Sequence, residues 1–338
     1  MKKRVEFFDS CKGILIILVV LGHVMPEDAL FHRWLYTWHM PCFFMLSGSI
    51  LAYRKYGEKS FWGSRGVLIS GIKGLILPYF FYAGILLLAR WADSGFQMEV
   101  LRWQVIDYML LCGIGAMWFL PCLFLAQMIY YGIQRTAAVL RNVSGLPKYG
   151  VPLMVMIAAS VLAAVPLTVS APHSVIMVLF RAMIACFFLI CGDYPLVFLR
   201  KLKSVSNGYH CLLLVGLLLA SGLGFAWTGA PDVGLSVLKF GNTGGGYLWG
   251  ALTGSGFLFL LIAEVERLGI EWGKGILQYY GKNSLIVMGT HQAIMMGLRI
   301  PIQESFMWNV VLCSLILAAE IPVIWLVHKI KNAGKGRS

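Results

Sequence analysis

Apolar runs of membrane-spanning length, separated by short basic loops, recur from one end of this chain to the other and constrain its fold more than any other feature. A spanning helix needs roughly 20 apolar residues, because in hydrocarbon the backbone must satisfy its own hydrogen bonds. Runs of that kind fall at 8–26, 34–53, 66–89, 106–134, 150–168, 174–199, 209–229, 243–265, 283–300 and 306–328. Hydrophobic residues make up 59% of the chain and charged residues 13%, where a soluble domain carries about 25% charged. The expectation is an all-α polytopic membrane protein of about ten transmembrane helices, forming a single integral-membrane domain over 1–338. The basic, then apolar N-terminus has no small-residue cleavage site, so it is read as a retained first span.

The formal net charge of +13 would suggest nucleic acid in a soluble protein. Here it marks cytoplasmic loops, and no nucleic-acid partner is expected. With the N-terminus placed inside, only Arg33, Arg90, Arg102, Lys239 and Arg299 of the 28 Lys and Arg fall in outward loops. Lys12, Lys73 and Arg181 fall within spans, and the rest face the cytoplasm. That asymmetry implies N-in and C-in topology in a plasma (inner) membrane. The eight cysteines have no CxxC pair and no zinc-type His spacing, so they read as small buried hydrophobes, with no metal site. The tryptophans Trp34, Trp38, Trp91, Trp118 and Trp272 read as an interfacial belt.

Ionisable side chains at membrane depth are costly and usually face a bundle interior or wet cavity. His23 follows Lys12 by 11 residues, roughly 16 Å further along a helix. Span 2 runs back, and His39 lies near its outer end, so the two imidazoles approach one level in the outer half of the bilayer. Two histidines at matched depth make a general-base site, since imidazole titrates near neutral pH. The plainer reading of each alone is a histidine bonded to a backbone carbonyl. Arg4, Lys12 and Lys73 lie in the cytoplasmic half, where a polyanionic ligand would meet them. Singly, they also read as a topology anchor and snorkelling lysines. Asp9 lies near Arg4 and Lys12 and can hold either cation. Arg181 is too deep to snorkel, and an ion pair with Glu320 or Asp193 is its competing role. His291 reaches mid-membrane on span 9, as a packing histidine or a ligand-bonding one.

The order of motifs is similar to that of the membrane-bound acyltransferase 3 family. Arg4-Val5-Glu6-Phe7-Phe8-Asp9, Lys12-Gly13 and Leu21-Gly22-His23 resemble its opening. His39-Met40-Pro41-Cys42-Phe43-Phe44-Met45-Leu46-Ser47-Gly48 resembles its second-span signature. Pro78-Tyr79, Trp118-Phe119-Leu120, Arg181 with Phe187-Phe188-Leu189-Ile190-Cys191-Gly192, and Gly281-Lys282-Asn283-Ser284-Leu285 with His291 fit further on. The first fifty residues carry most of the specificity, and the flavour is closest to a fucose O-acetylase-like branch. Where the family often pairs two cations before the Pro-Tyr, Lys73 is followed by Gly74, with Arg65 a possible substitute.

That resemblance implies an O-acetyltransferase that moves an acetyl group from acetyl-CoA to a sugar or polysaccharide acceptor. His23 would be the catalytic histidine, with His39 orienting it or supporting the oxyanion. Arg4 and the span-3 cations would hold the CoA, and Arg181 and His291 would contact substrate. Direct transfer and an acyl-histidine intermediate both remain open. The rival reading is a transporter of polysaccharide or small molecules whose buried cations and histidines line a pathway; the lack of a visible internal repeat and the matched level of His23 and His39 argue against it. A relative with an extra soluble domain is a third reading, with no room for such a domain before Ser338.

Overall fold

The computed structural model describes residues 6–57, 64–144, 156, 173–192, 194, 207–229, 233–299, 301 and 303–335. Helix α1 spans Glu6–His23 and α2 Leu30–Gly57. Helix α3, Ser64–Gly71, runs through a π-helical turn, Ile72–Ile76, into α4, Leu77–Asp93. Helix α5, Met98–Met109, is followed by a 3-10 turn, Gly115–Trp118, that opens α6, Phe119–Ser144. Then come α7, Val175–Cys191, and α8, Asn207–Thr228. A small antiparallel hairpin pairs β1, Val233–Gly234, with β2, Lys239–Phe240, Val233 opposite Phe240. The chain continues through α9, Gly244–Arg267, α10, Lys274–Lys282, α11, Ser284–Leu298, and α12, Phe306–Lys335.

Five stretches among the described residues are long and apolar enough to cross a membrane: 66–93, 115–136, 208–228, 244–267 and 306–333. Their outer faces carry bare apolar side chains, such as Leu212 at 73% and Leu223 at 69% exposure on α8. Water would not tolerate such a surface, whereas lipid does. The chain is an all-α, multi-pass membrane protein. The segment expected at 150–168 lies almost wholly outside the described residues.

Three local departures from the expected spans have local causes. Helix α1 stops at His23 rather than 26, because Pro26 disfavours helical geometry in the residue before it. The span expected at 106–134 is two helices, broken where Leu111, Gly113 and Gly115 take left-handed φ values of 60°, 89° and 53°. The π turn precedes Pro78, which has no N–H to give and whose ring clashes with the carbonyl four residues back. The ladder widens there, and Leu77 N–H bonds to Ile72 O instead.

Helix α1 sits in the core, with Cys11, Leu15, Ile16 and Val20 fully buried. It crosses α10 at backbone contact: a Cβ on Gly13 would lie 1.9 Å from the Leu277 carbonyl oxygen, and one on Gly281 would lie 1.8 Å from that of Asp9. Small residues at helix crossings let dispersion accumulate where lipid removes the hydrophobic drive for association. On the other side α2 packs against α7, and Ser49 Oγ donates to Gly192 O at 2.6 Å. The tryptophans do not form one belt. Trp38 is 3% and Trp118 8% exposed, both inside the bundle, while Trp272 is 93% exposed.

Candidate active site

The C-terminal end of α1, the N-terminal turns of α2, the end of α4 and the broken segment before α6 meet around a cavity of about 580 Å³. That size suits a small ligand rather than a solvent channel. His23, the last residue of α1, projects into it. His32, Tyr36 and His39 share one face of α2 at spacings of four and three residues, and all three line the same space. Met288 and Gln292 come from α11, Arg90 from α4, and Gly115, Ala116 and Trp118 from the 3-10 turn. The hairpin residues Val233–Val237 and Lys239 cover one side.

Three histidines carry the chemistry. The rings of His23 and His291 lie 5.2 Å apart, centroid to centroid. His291 Nδ1 is 2.7 Å from Val287 O, and His39 Nδ1 is 2.8 Å from Leu35 O. A carbonyl only accepts, so both rings carry a proton on Nδ1, and in the neutral ring Nε2 bears the lone pair. His291 Nε2 is buried and bonds no protein group among the described residues. His39 is thereby both the carbonyl-bonded histidine and a cavity residue. As a neutral ring it offers the cavity an acceptor rather than a donor, which favours orientation over oxyanion support.

A second layer fixes this wall. Gln292 Oε1 accepts from Ala116 N–H at 2.9 Å and ties α11 to the 3-10 turn. At Gly115, φ is 53°, and a Cβ would fall 2.0 Å from Gln292 Oε1 and 3.0 Å from an Arg90 guanidinium nitrogen. Both the backbone geometry and the space demand glycine. Gly115→Ala is expected to lower turnover about 10- to 100-fold, because misplacing a positioned group by an ångström costs on that order; wild-type turnover in this variant would show that the Gln292 anchor is irrelevant.

The remaining candidates lie elsewhere. Arg4 falls outside the described residues. Asp9 is buried on α1 against α10, and Lys12 is half-buried on the same helix, well below His23. Lys73 is exposed on the π turn, and Gly74 beside it has open space. None of these lines the cavity. Arg181 stands behind its wall: it donates to Cys112 O at 2.8 Å and to Met177 Sδ, and its guanidinium lies 5.5 Å from the Trp118 ring centre. The alternative ion pair with Glu320 is not formed, since Glu320 is bonded to Thr290 Oγ1 at 2.7 and 2.9 Å. Asp193 is outside the described residues. His173 pairs with Asp107 at 2.7 Å, and Glu264 with His210 and Arg267. Among the described residues, no group of three or more His, Cys, Asp or Glu is arranged to hold a metal.

Sequence reasoning did not single out Gln292, Gly115 or the hairpin, and it placed Arg90 only as a loop cation. The adjacency of Gln292 to His291 was the available signal. The nearest ring partner of His23 also differs: the structure sets His291 beside it, with His39 in the same cavity.

A helical membrane bundle that gathers His23, His32, His39 and Gln292 around one half-enclosed cavity, with His291 against the ring of His23, has the architecture of a membrane-embedded enzyme. A family model described as an acyltransferase domain matches residues 5–328, nearly the whole chain, and the chain belongs to the membrane-bound acyltransferase 3 family. No curated protein and no solved structure matches it.

Proposed function

We propose that the protein is an O-acetyltransferase of the plasma (inner) membrane, moving an acetyl group from acetyl-CoA to a hydroxyl of a cell-surface sugar or polysaccharide precursor. In this reading about ten spans place both termini in the cytoplasm, and His23 is the general base. The observation that carries it is the pairing of His23, half-buried in the cavity, with His291 at 5.2 Å between rings, its buried Nε2 bonding no protein group among the described residues. A buried polar atom without a partner is costly, so it is kept where a bound group can satisfy it.

The donor enters from the cytoplasmic side, its phosphates among Arg4, Lys12 and Lys73, and its thioester reaches the level of His23. The acceptor hydroxyl gives its proton to His23 as its oxygen attacks the thioester carbonyl. The tetrahedral oxyanion collapses, the carbon–sulfur bond breaks, and the departing thiolate takes the proton back from His23. His291 Nε2 and His39 Nε2 accept hydrogen bonds that orient His23 or the acceptor. With its Oε1 held by Ala116 N–H, Gln292 turns its amide N–H groups to the developing oxyanion. Arg181 acts by holding Trp118 in the wall, a positioning role.

The donor half of this reading is tested by thermal unfolding of detergent-purified protein. Millimolar acetyl-CoA is expected to raise the melting temperature by several degrees, since a ligand at about 100 times its Kd adds roughly 2.7 kcal/mol. No rise at that concentration removes acetyl-CoA as the donor.

A further inference from the structure

Of the five cations assigned to outward loops, three converge on one cavity although they come from distant parts of the chain. Arg33 follows the first turn of the chain, Arg90 ends α4, and Lys239 sits on β2, and all three line the space that His23 enters. Arg33 Nε is buried and bonds no protein group among the described residues. Arg90 lies close to Gln292 beside the Gly115 turn. Among the described lining residues Glu27 is the one carboxylate, against Arg33, Arg90 and Lys239. His32 does not add to these cations, because burial holds its imidazole below the usual range, partly offset by Glu27.

Bringing scarce cations together in a half-enclosed space costs repulsion and desolvation, and a bound anion recovers the part of that cost that Glu27 does not offset. The donor's phosphates belong to the opposite end of the bundle in the acyltransferase reading, on which this inference rests. We propose that the mouth selects an acceptor carrying a negative charge, a carboxylate or a phosphate on or beside the sugar whose hydroxyl is acylated. The planar guanidinium groups of Arg33 and Arg90 can grip either oxyanion in bidentate fashion. Lys239, exposed on the hairpin, supplies a third charge at the rim. The anionic group then anchors outward while the hydroxyl is presented inward to His23.

Thermal unfolding at low salt, with glucuronate, glucose 1-phosphate, glucose and glucosamine as separate probes, tests this directly. One or both anionic sugars are expected to stabilise the wild-type protein, and glucose and glucosamine are not. The carboxylate and phosphate arms tell the two anion sources apart. Arg33→Gln is expected to weaken the effective anionic sugar about 10-fold, as loss of one charge-assisted bond does, and Lys239→Gln, a surface change that spares folding, about 3-fold by the same reasoning. The acetyl-CoA-induced shift should survive in both variants. Equal stabilisation by glucose, or none by any sugar, overturns the proposal while leaving the acetyl-CoA shift to judge the parent reading. Loss of the acetyl-CoA shift in Arg33→Gln also overturns it, because the cations would then serve the donor.

Discussion

Replacing His23 by alanine is expected to lower acetyl transfer about 10³-fold, within the range a positioned general base contributes, while the stabilisation by acetyl-CoA persists. The residue ends α1 and is only half-buried, so truncation leaves the bundle's core intact. The two readouts therefore separate chemistry from folding: an unchanged acetyl-CoA shift shows that the site is assembled, and the lost transfer then belongs to the imidazole. His291→Ala is expected to fall by a smaller factor, about 10- to 100-fold, since it acts through groups it orients. The measurement is acetyl-ester formation in membranes or detergent, alongside CoA release. A His23→Ala protein that transfers at the wild-type rate would remove His23 from the centre of the mechanism and leave His291 as the base to test.

Gly13→Ala is expected to carry one of the largest structural penalties that a single added methyl group can impose on this chain. The added Cβ would sit 1.9 Å from the Leu277 carbonyl oxygen, and both partners are backbone. No rotamer change relieves such a contact, so α1 and α10 must separate, at a cost of about 1–3 kcal/mol or more. Gly281→Ala meets the Asp9 carbonyl oxygen at 1.8 Å in the same crossing and should behave alike. Because α1 carries His23 at its far end, activity should fall together with the melting temperature. Gly275, also on α10, has open space where its Cβ would go, and Gly275→Ala is expected to leave the melting temperature unchanged or slightly raised. A Gly13→Ala protein as stable as the Gly275→Ala control would show that the helices do not meet as closely as the structure has them.

The candidate site was partly legible in the sequence, and the boundary has physical causes. His23 stood out because a titratable side chain in an apolar run is expensive anywhere in the chain. The same argument raised His39, His291 and Arg181, but it weighs each residue against lipid and says nothing of its neighbours. Hence Arg181 stood as a substrate contact, whereas in the structure it faces Cys112 O and Trp118 behind the cavity wall. The break between α5 and α6 was missed for a related reason. The run at 106–134 is predominantly apolar across the break, and hydropathy does not register three left-handed residues at 111, 113 and 115.

By itself the sequence determined that this is a helical, multi-pass membrane protein with few titratable groups inside its apolar runs, and its ordered motifs pointed to its family. These properties follow from composition along the chain, which water and lipid read segment by segment. Only the tertiary structure decided that His291 rather than His39 lies against the ring of His23, that Gln292 is clamped to Ala116, and that Arg33, Arg90 and Lys239 share one cavity. Which helix faces meet is set by contacts such as Gly13 on Leu277, made between segments more than two hundred residues apart. A helical period shows that a face exists, and packing alone chooses what it meets.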